Sequence, residues 1–401
     1  MKLAPFFLLA CCAAAPAKAD PARVTRLLER AVVLDLHDDT TQMMVDEGYD
    51  LAERHDFGQV DLPRMREGHV AGVFLSIWTD AVRYTPTEAI RRALDQIDAV
   101  ARDTTRHPRE MALTTTADQV LQARKRGQIA ILMGVEGGHM IDSDLAILRT
   151  YFRLGVRYMT LTHTEHTPWA DTASHPAAHS GLTDFGKQVV REMNRLGLMV
   201  DISHVSDKTF YDALEASRAP VIASHSSMRA LCNIPRNMSD DMLRALARQG
   251  GVVFINFNTA YLDEKAAAVF APLREARDRE IAAMLALNRG NPRRWEMVRA
   301  IQQRYKAQLP AVDITAVLRH IDHAVKTMGA DHVGIGSDFD GVSGMVPDGM
   351  EDVSKYPALV QGLIDRGYSD ADIAKIMGGN LLRVMRANEA VARQMDVWHA
   401  H

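Results

Sequence analysis

Apolar residues gather in eight short runs: Ala31 to Leu36, Val70 to Trp78, Ile129 to Val135, Val156 to Thr162, Leu198 to Ser203, Pro220 to Ser224, Gly251 to Phe257 and His332 to Ser337. Most are too uniformly apolar to present a wet face, which predicts parallel strands covered on both sides. Between them the period lengthens to that of a helix. Ile90, Leu94, Ile97 and Ala101 share one predicted face, as do Val189, Val190, Met193 and Leu196, and later Ile314, Val317, Leu318, Ile321 and Val325. Strand and helix alternating in this way predict an α/β fold of the (β/α)8 TIM-like barrel type. A doubly wound open sheet fits less well, because no Gly-x-Gly-x-x-Gly turn follows the first strand. After the seventh strand, Asp263 to Leu309 (263–309) breaks the rhythm with charged, helix-prone sequence and a turn at Gly290-Asn291-Pro292. It predicts a helical insertion on the catalytic face, which either caps the site or meets a second subunit. Ser369 to Ala390 reads as packing helices without chemistry of their own.

Composition narrows the class. Among 401 residues, 47% are hydrophobic and 24% charged, enough to bury a large core, and a net charge of −4 without a Lys/Arg block argues against nucleic acid as a partner. Met1-Lys2, the apolar run Leu3 to Ala15 and the small-x-small Ala17-Lys18-Ala19 predict a signal peptide over 1–19, cleaved before Asp20. That segment is too short to span a bilayer. The expected product is a single domain over 20–401, exported to a periplasm or secreted, with a lipoprotein box at Leu8 to Cys11 as the competing reading. Cleavage leaves Cys232 as the sole cysteine, so no internal disulfide forms, and it reads as a small buried hydrophobe rather than a nucleophile.

The chemistry stands where the apolar runs stop, since a barrel collects its active site at the C-terminal ends of its strands. The first run ends in His37-Asp38-Asp39, the third in Glu136, the fourth in His163, the fifth in His204, the sixth in His225 and the eighth in Asp338. One such residue alone is more often a satisfied core or surface group. Six strand ends aimed into one mouth would accumulate charge and desolvation cost unless a cation compensates them. Mixed nitrogen and oxygen donors suit zinc, with cobalt or manganese as substitutes. His37, Asp39, Glu136, His204 and His225 are too many for one tetrahedral ion, so two zinc ions with Glu136 bridging are expected. One ion takes His37, Asp39 and Glu136; the other takes Glu136, His204 and His225.

These residues fall within longer motifs. "GVEGG", "RYMTLTHTEHTPWADT", "LMVDISHVS", "VIASHSSMRALCNIPRNMSDDMLRAL" and "VGIGSDFDG" followed by "EDVSKYPAL" resemble, in order, the membrane (renal) dipeptidase family of binuclear zinc peptidases, in its bacterial branch. The resemblance implies a metal-dependent dipeptidase that attacks the peptide bond with a metal-bridging hydroxide. It implies the same five ligands, substrate contacts at His163, Arg236, Tyr261 and Asp338, and the family's habit of forming a homodimer. His163 is expected to stabilise the oxyanion. Asp338 is expected to relay a proton or to pair with the substrate ammonium, and Arg236 to read the terminal carboxylate. Asp38 stands where the family usually has asparagine, and Glu165 and His166 depart from its common residues, which opens the substrate preference. A deaminase or hydantoinase-like amidohydrolase would instead want His-x-His on the first strand, where this chain has His37-x-Asp39, and often a lysine on the fourth, where it has His163.

Overall fold

The structure, a computed structural model, describes residues 21–291 and 293–399; the signal segment and the lipoprotein alternative at Cys11 lie outside them. Among the described residues nine strands form one wholly parallel sheet: β1 (Val33–Asp38), β2 (Val70–Trp78), β3 (Met111–Leu113), β4 (Ile129–Glu136), β5 (Val156–Thr160), β6 (Met199–Asp201), β7 (Ile222–Ser226), β8 (Val252–Ile255) and β9 (Val333–Ile335). Eight run in the order β1-β2-β4-β5-β6-β7-β8-β9, and the short β3 pairs with β4 outside that ring. The last strand returns to the first through a parallel bridge between Asp38 and Phe339 and through hydrogen bonds from Asp39 N to Phe339 O and Asp338 N to His37 O. The expected (β/α)8 barrel is therefore present, with β3 as an addition.

Two apolar cores hold it. One lies between the strands and the outer helices; the other fills the barrel with Leu34, Leu36, Phe74, Leu132, Ile222 and Phe254 and continues into Leu381 and Met385 of the C-terminal helix. The tail packs across the barrel floor as two helices, Asp370–Ala374 and Asn380–His399, joined by a π turn over Lys375–Gly379. Gly378 lies so close to the start of β1 that a Cβ there would overlap the Val32 carbonyl. At the opposite end, side chains cap the helices that leave the loops: Thr183, Ser206 and Ser239 accept the N–H groups of Gly186, Thr209 and Met242.

One predicted helix face is displaced. In Pro86–Arg106, Ile97 is buried but Leu94 is 38% exposed, and the buried face runs through Ala89, Ala93, Gln96, Val100 and Asp103. Gln96 donates to Trp78 O at 2.7 Å and accepts from Trp78 N at 3.0 Å, while Asp103 accepts from Leu51 N at 3.0 Å. Polar groups that hold loop backbone thus occupy positions where an apolar period looks for leucine.

The insertion forms two helices, Glu264–Leu287 and Arg294–Lys306, as its sequence predicts. It reaches across the mouth: Arg299 Nη1 pairs with Glu47 Oε2 at 3.0 Å beyond β1, and Gln302 Nε2 donates to Ser343 Oγ at 3.1 Å beyond β9. Of its two expected placements, capping the site is the one this geometry supports. Among the described residues no helix is long and apolar enough to cross a membrane.

Candidate metal centre

His37, Asp39, Glu136, His163, His204, His225 and Asp338 converge at the C-terminal mouth, in overlapping groups whose donor atoms lie within 4.8 Å of one another. Glu136 is central. Its Oε2 lies 3.4 Å from His37 Nε2, and its Oε1 lies 3.1 Å from His204 Nε2, 3.2 Å from His225 Nε2 and 3.8 Å from His163 Nε2. Asp39 Oδ2 is 3.6 Å from His37 Nε2. The carboxylate therefore faces one group of donors with each oxygen.

Local structure explains the convergence. His163, His204 and Asp338 each stand three residues past the ends of β5, β6 and β9, where the ladder has ended; His204 and Asp338 adopt positive φ of 66° and 64°. Buried carboxylates replace the missing ladder bonds. Asp201 accepts from Ser203 N at 3.0 Å, Ser224 N at 2.8 Å and Ser224 Oγ at 2.5 Å. Asp35 accepts from Ser337 N at 2.9 Å and from Ser337 Oγ and Tyr356 Oη at 2.5 Å each.

The same network orients the imidazoles. Ser224 Oγ spends its proton on Asp201, so at 2.8 Å it accepts from His225 Nδ1 and leaves the Nε2 lone pair of His225 aimed at Glu136. Tyr158 Oη lies 2.8 Å from His37 Nδ1, which directs His37 Nε2 to the carboxylates. The tyrosine crosses β4 over Gly134, where any Cβ would overlap its ring.

Electrostatics separates the groups. Burial and then Arg236 push His204 well below the usual imidazole value; burial and then the His37 charge do the same to His225, so both rings are neutral. Against the cost of burial, the His37 charge first, and then the surrounding imidazoles of His163, His204 and His225, hold Glu136 well below the usual carboxylate range. Burial pushes Asp338 well up, against the pull of His37 and with the help of Asp39 and Glu136; its Oδ2 accepts from Asn256 Nδ2 at 2.8 Å. Asp38 is pushed well up by burial and by Asp340, itself at about 7, and both carboxyls bond Thr40 Oγ1 at 2.5 Å.

This donor set fits divalent cations. Two neutral imidazole Nε2 atoms, of His204 and His225, face each other at 2.8 Å beside an anionic carboxylate. His37 Nε2 and Asp39 Oδ1 are buried without a hydrogen-bond partner, a cost that a cation would remove.

The remaining candidates divide. Tyr261 lines, with Glu136, His163 and Asp338, a cavity of about 1320 Å³ that extends under the insertion. Arg236 stands beside that lining: Nη1 donates to Ser226 Oγ at 2.8 Å, Nη2 to His225 O at 2.7 Å, and its guanidinium lies 5.5 Å from the Tyr261 ring centre. Its Nε is buried without a partner. Cys232 is fully buried 3.7 Å from Ala260 O, and burial pushes its thiol up to about 12, as suits a packing residue. Sequence reasoning passed over Tyr158, Asp35, Asp201 and Asn256. The available signals were a tyrosine inside the run Val156 to Thr162 and acids two and three residues before His37 and His204.

A parallel barrel with histidine and carboxylate donors at its mouth defines a metal-dependent hydrolase type of site. Comparison makes the class specific: residues 21–398 match the model of the membrane dipeptidase family (peptidase family M19), and the chain belongs to that family. Dipeptidase 3 of Mus musculus is 38% identical over 339 residues, 83% of this chain and 59% of its own length. The chain thus spans about three fifths of that relative. The probable dipeptidase PvdM from Pseudomonas aeruginosa shares the fold with a TM-score of 0.80 at 28% identity, covering 93% of this chain and 99% of its own. A metallo peptidase from Rhodobacter sphaeroides, crystallised with a phosphinate mimic of the dipeptide L-Ala-D-Ala, has a TM-score of 0.73 at 25% identity, covering 89% of this chain and 99% of its own.

Proposed function

We propose that the protein is a zinc-dependent dipeptidase that hydrolyses the peptide bond of dipeptides, including those with a C-terminal D-residue. The observation that carries this reading is Glu136, with Oε2 turned to His37 and Oε1 to His204 and His225. A carboxylate so placed suits a bridge between two zinc ions, one held also by His37 and Asp39, the other by His204 and His225. When bound, such ions supply Lewis-acid polarisation of the peptide carbonyl and acidify water. The neutral imidazole of His163 keeps an N–H to donate to the carbonyl oxygen as it gains charge. Asp338, anchored by Asn256, carries a proton to the leaving amine and pairs with the substrate ammonium. Arg236 offers Nε–H and the second hydrogens of its terminal nitrogens to the C-terminal carboxylate, with Tyr261 as the wall beside it. Acceptance of a D-residue is supported by the L-Ala-D-Ala mimic held by the Rhodobacter neighbour. Export follows from the segment before Asp20, with lipid attachment at Cys11 as the alternative that mass spectrometry of the mature N-terminus separates. A homodimer belongs to the same reading and is checked by light scattering.

The test is Arg236→Met on matched dipeptide and dipeptide-amide substrates. Losing a charged hydrogen bond to the carboxylate should lower kcat/KM on the dipeptide on the order of a hundredfold and collapse its discrimination against the amide. Wild-type protein that cleaves amides and tripeptides as fast as dipeptides would refute the reading. A panel of L-L and L-D dipeptides decides the stereochemical part.

A further inference from the structure

The cavity above the metal centre is larger than the ~300–1,000 Å³ common for small-molecule sites, and the insertion supplies its far wall. That wall is basic where the floor is acidic. Asp39, Glu136 and Asp338 line the floor, while Arg274 and Arg277 line the wall from one insertion helix and Lys306 from the other. The two arginines share a single carboxylate. Asp278 bonds Arg277 Nε at 2.9 Å and Nη2 at 2.8 Å, but lies 3.9 Å from Arg274 Nε. Arg277 is held over the Phe270 ring at 5.0 Å with its side chain only 11% exposed, and its Nη1 is buried without a hydrogen-bond partner. Arg274 is half exposed and lines the same cavity as His163 and Glu136. The arginine pair therefore presents one positive charge in excess and one unused buried N–H to the cavity, on the side away from Asp39, Glu136 and Asp338.

We propose that Arg274 and Arg277 form an anion-recognising wall that selects dipeptides bearing an acidic side chain. The proposal rests on the dipeptidase reading above and adds a substrate class to it. The α-ammonium is drawn to the acidic floor and the side-chain carboxylate to the wall, so the two ends of the cavity orient the substrate. This role is separate from that of Arg236, which reads the α-carboxylate common to all dipeptides.

The experiment uses the metal-loaded full chain and the pairs Ala-Glu with Ala-Gln and Glu-Ala with Gln-Ala, each pair differing only in the side-chain charge. Wild-type protein should favour the glutamate member of at least one pair about tenfold in kcat/KM, less so at high salt. Arg274→Gln and Arg277→Gln should each bring that ratio toward one. Arg279→Gln, on the same helix but paired outward with Glu275, should not. A ratio near one in the wild type, or one unchanged by both variants, overturns the wall. If no dipeptide is hydrolysed, the dipeptidase reading fails by itself. The same ratio is then measured as equilibrium affinity through the fluorescence of Trp78 and Trp295, which line the cavity, and it decides the wall by the same criterion.

Discussion

The two ends of the barrel are built by opposite rules. At the floor, Leu34, Leu132, Phe254 and Leu381 interdigitate, the backbone at Gly378 packs against Val32, and the groups brought together are apolar. At the mouth, residues adopt left-handed conformations, carboxyls and imidazoles are buried side by side, and His37 and Asp39 keep unpaired atoms. The floor is organised for packing, while the mouth carries strain and desolvation that only a ligand relieves. The network of Asp35, Asp201, Tyr158 and Asn256 lets the mouth persist beside so regular a floor.

Acid should break the comparison first, through a buried histidine of the helix Ile314–Met328 that holds the segments following β7 and β8. His320 is fully buried, accepts from Met228 N and donates to Leu262 O at 3.0 Å each, and burial pushes it down to about 4. Its folded value lies below its unfolded value near 6.5, so the unfolded chain takes up the proton first. The stability it contributes is complete above about pH 6.5 and is lost as pH falls toward 4, by about 3 kcal/mol in all. Chemical denaturation between pH 7 and 4.5 should show this slope in the wild type and a shallower one in His320→Gln. Equal slopes would remove His320 from the account.

Tyr158→Phe comes next and sharpens the contrast. It deletes the 2.8 Å bond to His37 Nδ1 while keeping the ring in the barrel core. Metal affinity should fall roughly ten- to hundredfold, with the melting temperature of the chelated protein little changed. Metal titration followed by calorimetry checks both halves.

Gly378→Ala should do the reverse. The added methyl overlaps the Val32 carbonyl at the floor, costing ~1–3 kcal/mol of stability, while kcat per folded molecule stays at the wild-type value. Leu94→Ser carries the smallest effect, within ~0.5 kcal/mol, because that side chain, predicted on the apolar face, is exposed and lies outside the buried face the helix forms.

The same contrast explains what the sequence could reveal. Strands built for burial advertise themselves as apolar runs, and a residue such as His225 or Glu136 at the end of one is conspicuous because it breaks the run. The insertion was legible too, since the turn at Gly290-Asn291 divides two helix-prone stretches. What stayed hidden depends on contacts between distant segments. Tyr158 meets His37 across 121 residues, and Ser337 meets Asp35 across 302; no local pattern records either pairing. The misplaced face of Pro86–Arg106 has the same origin, because Gln96 is buried by its bonds to Trp78, not by hydrophobicity.

The most direct test of the central claim is a count of metal per chain in the wild type and in Glu136→Gln, with dipeptide hydrolysis measured on the same samples. The account predicts about two zinc ions per wild-type chain, fewer in the variant, and activity that falls with the metal and returns to the chelated wild type when zinc is restored. A single ion retained unchanged in Glu136→Gln, or undiminished hydrolysis by the metal-free protein, would contradict it.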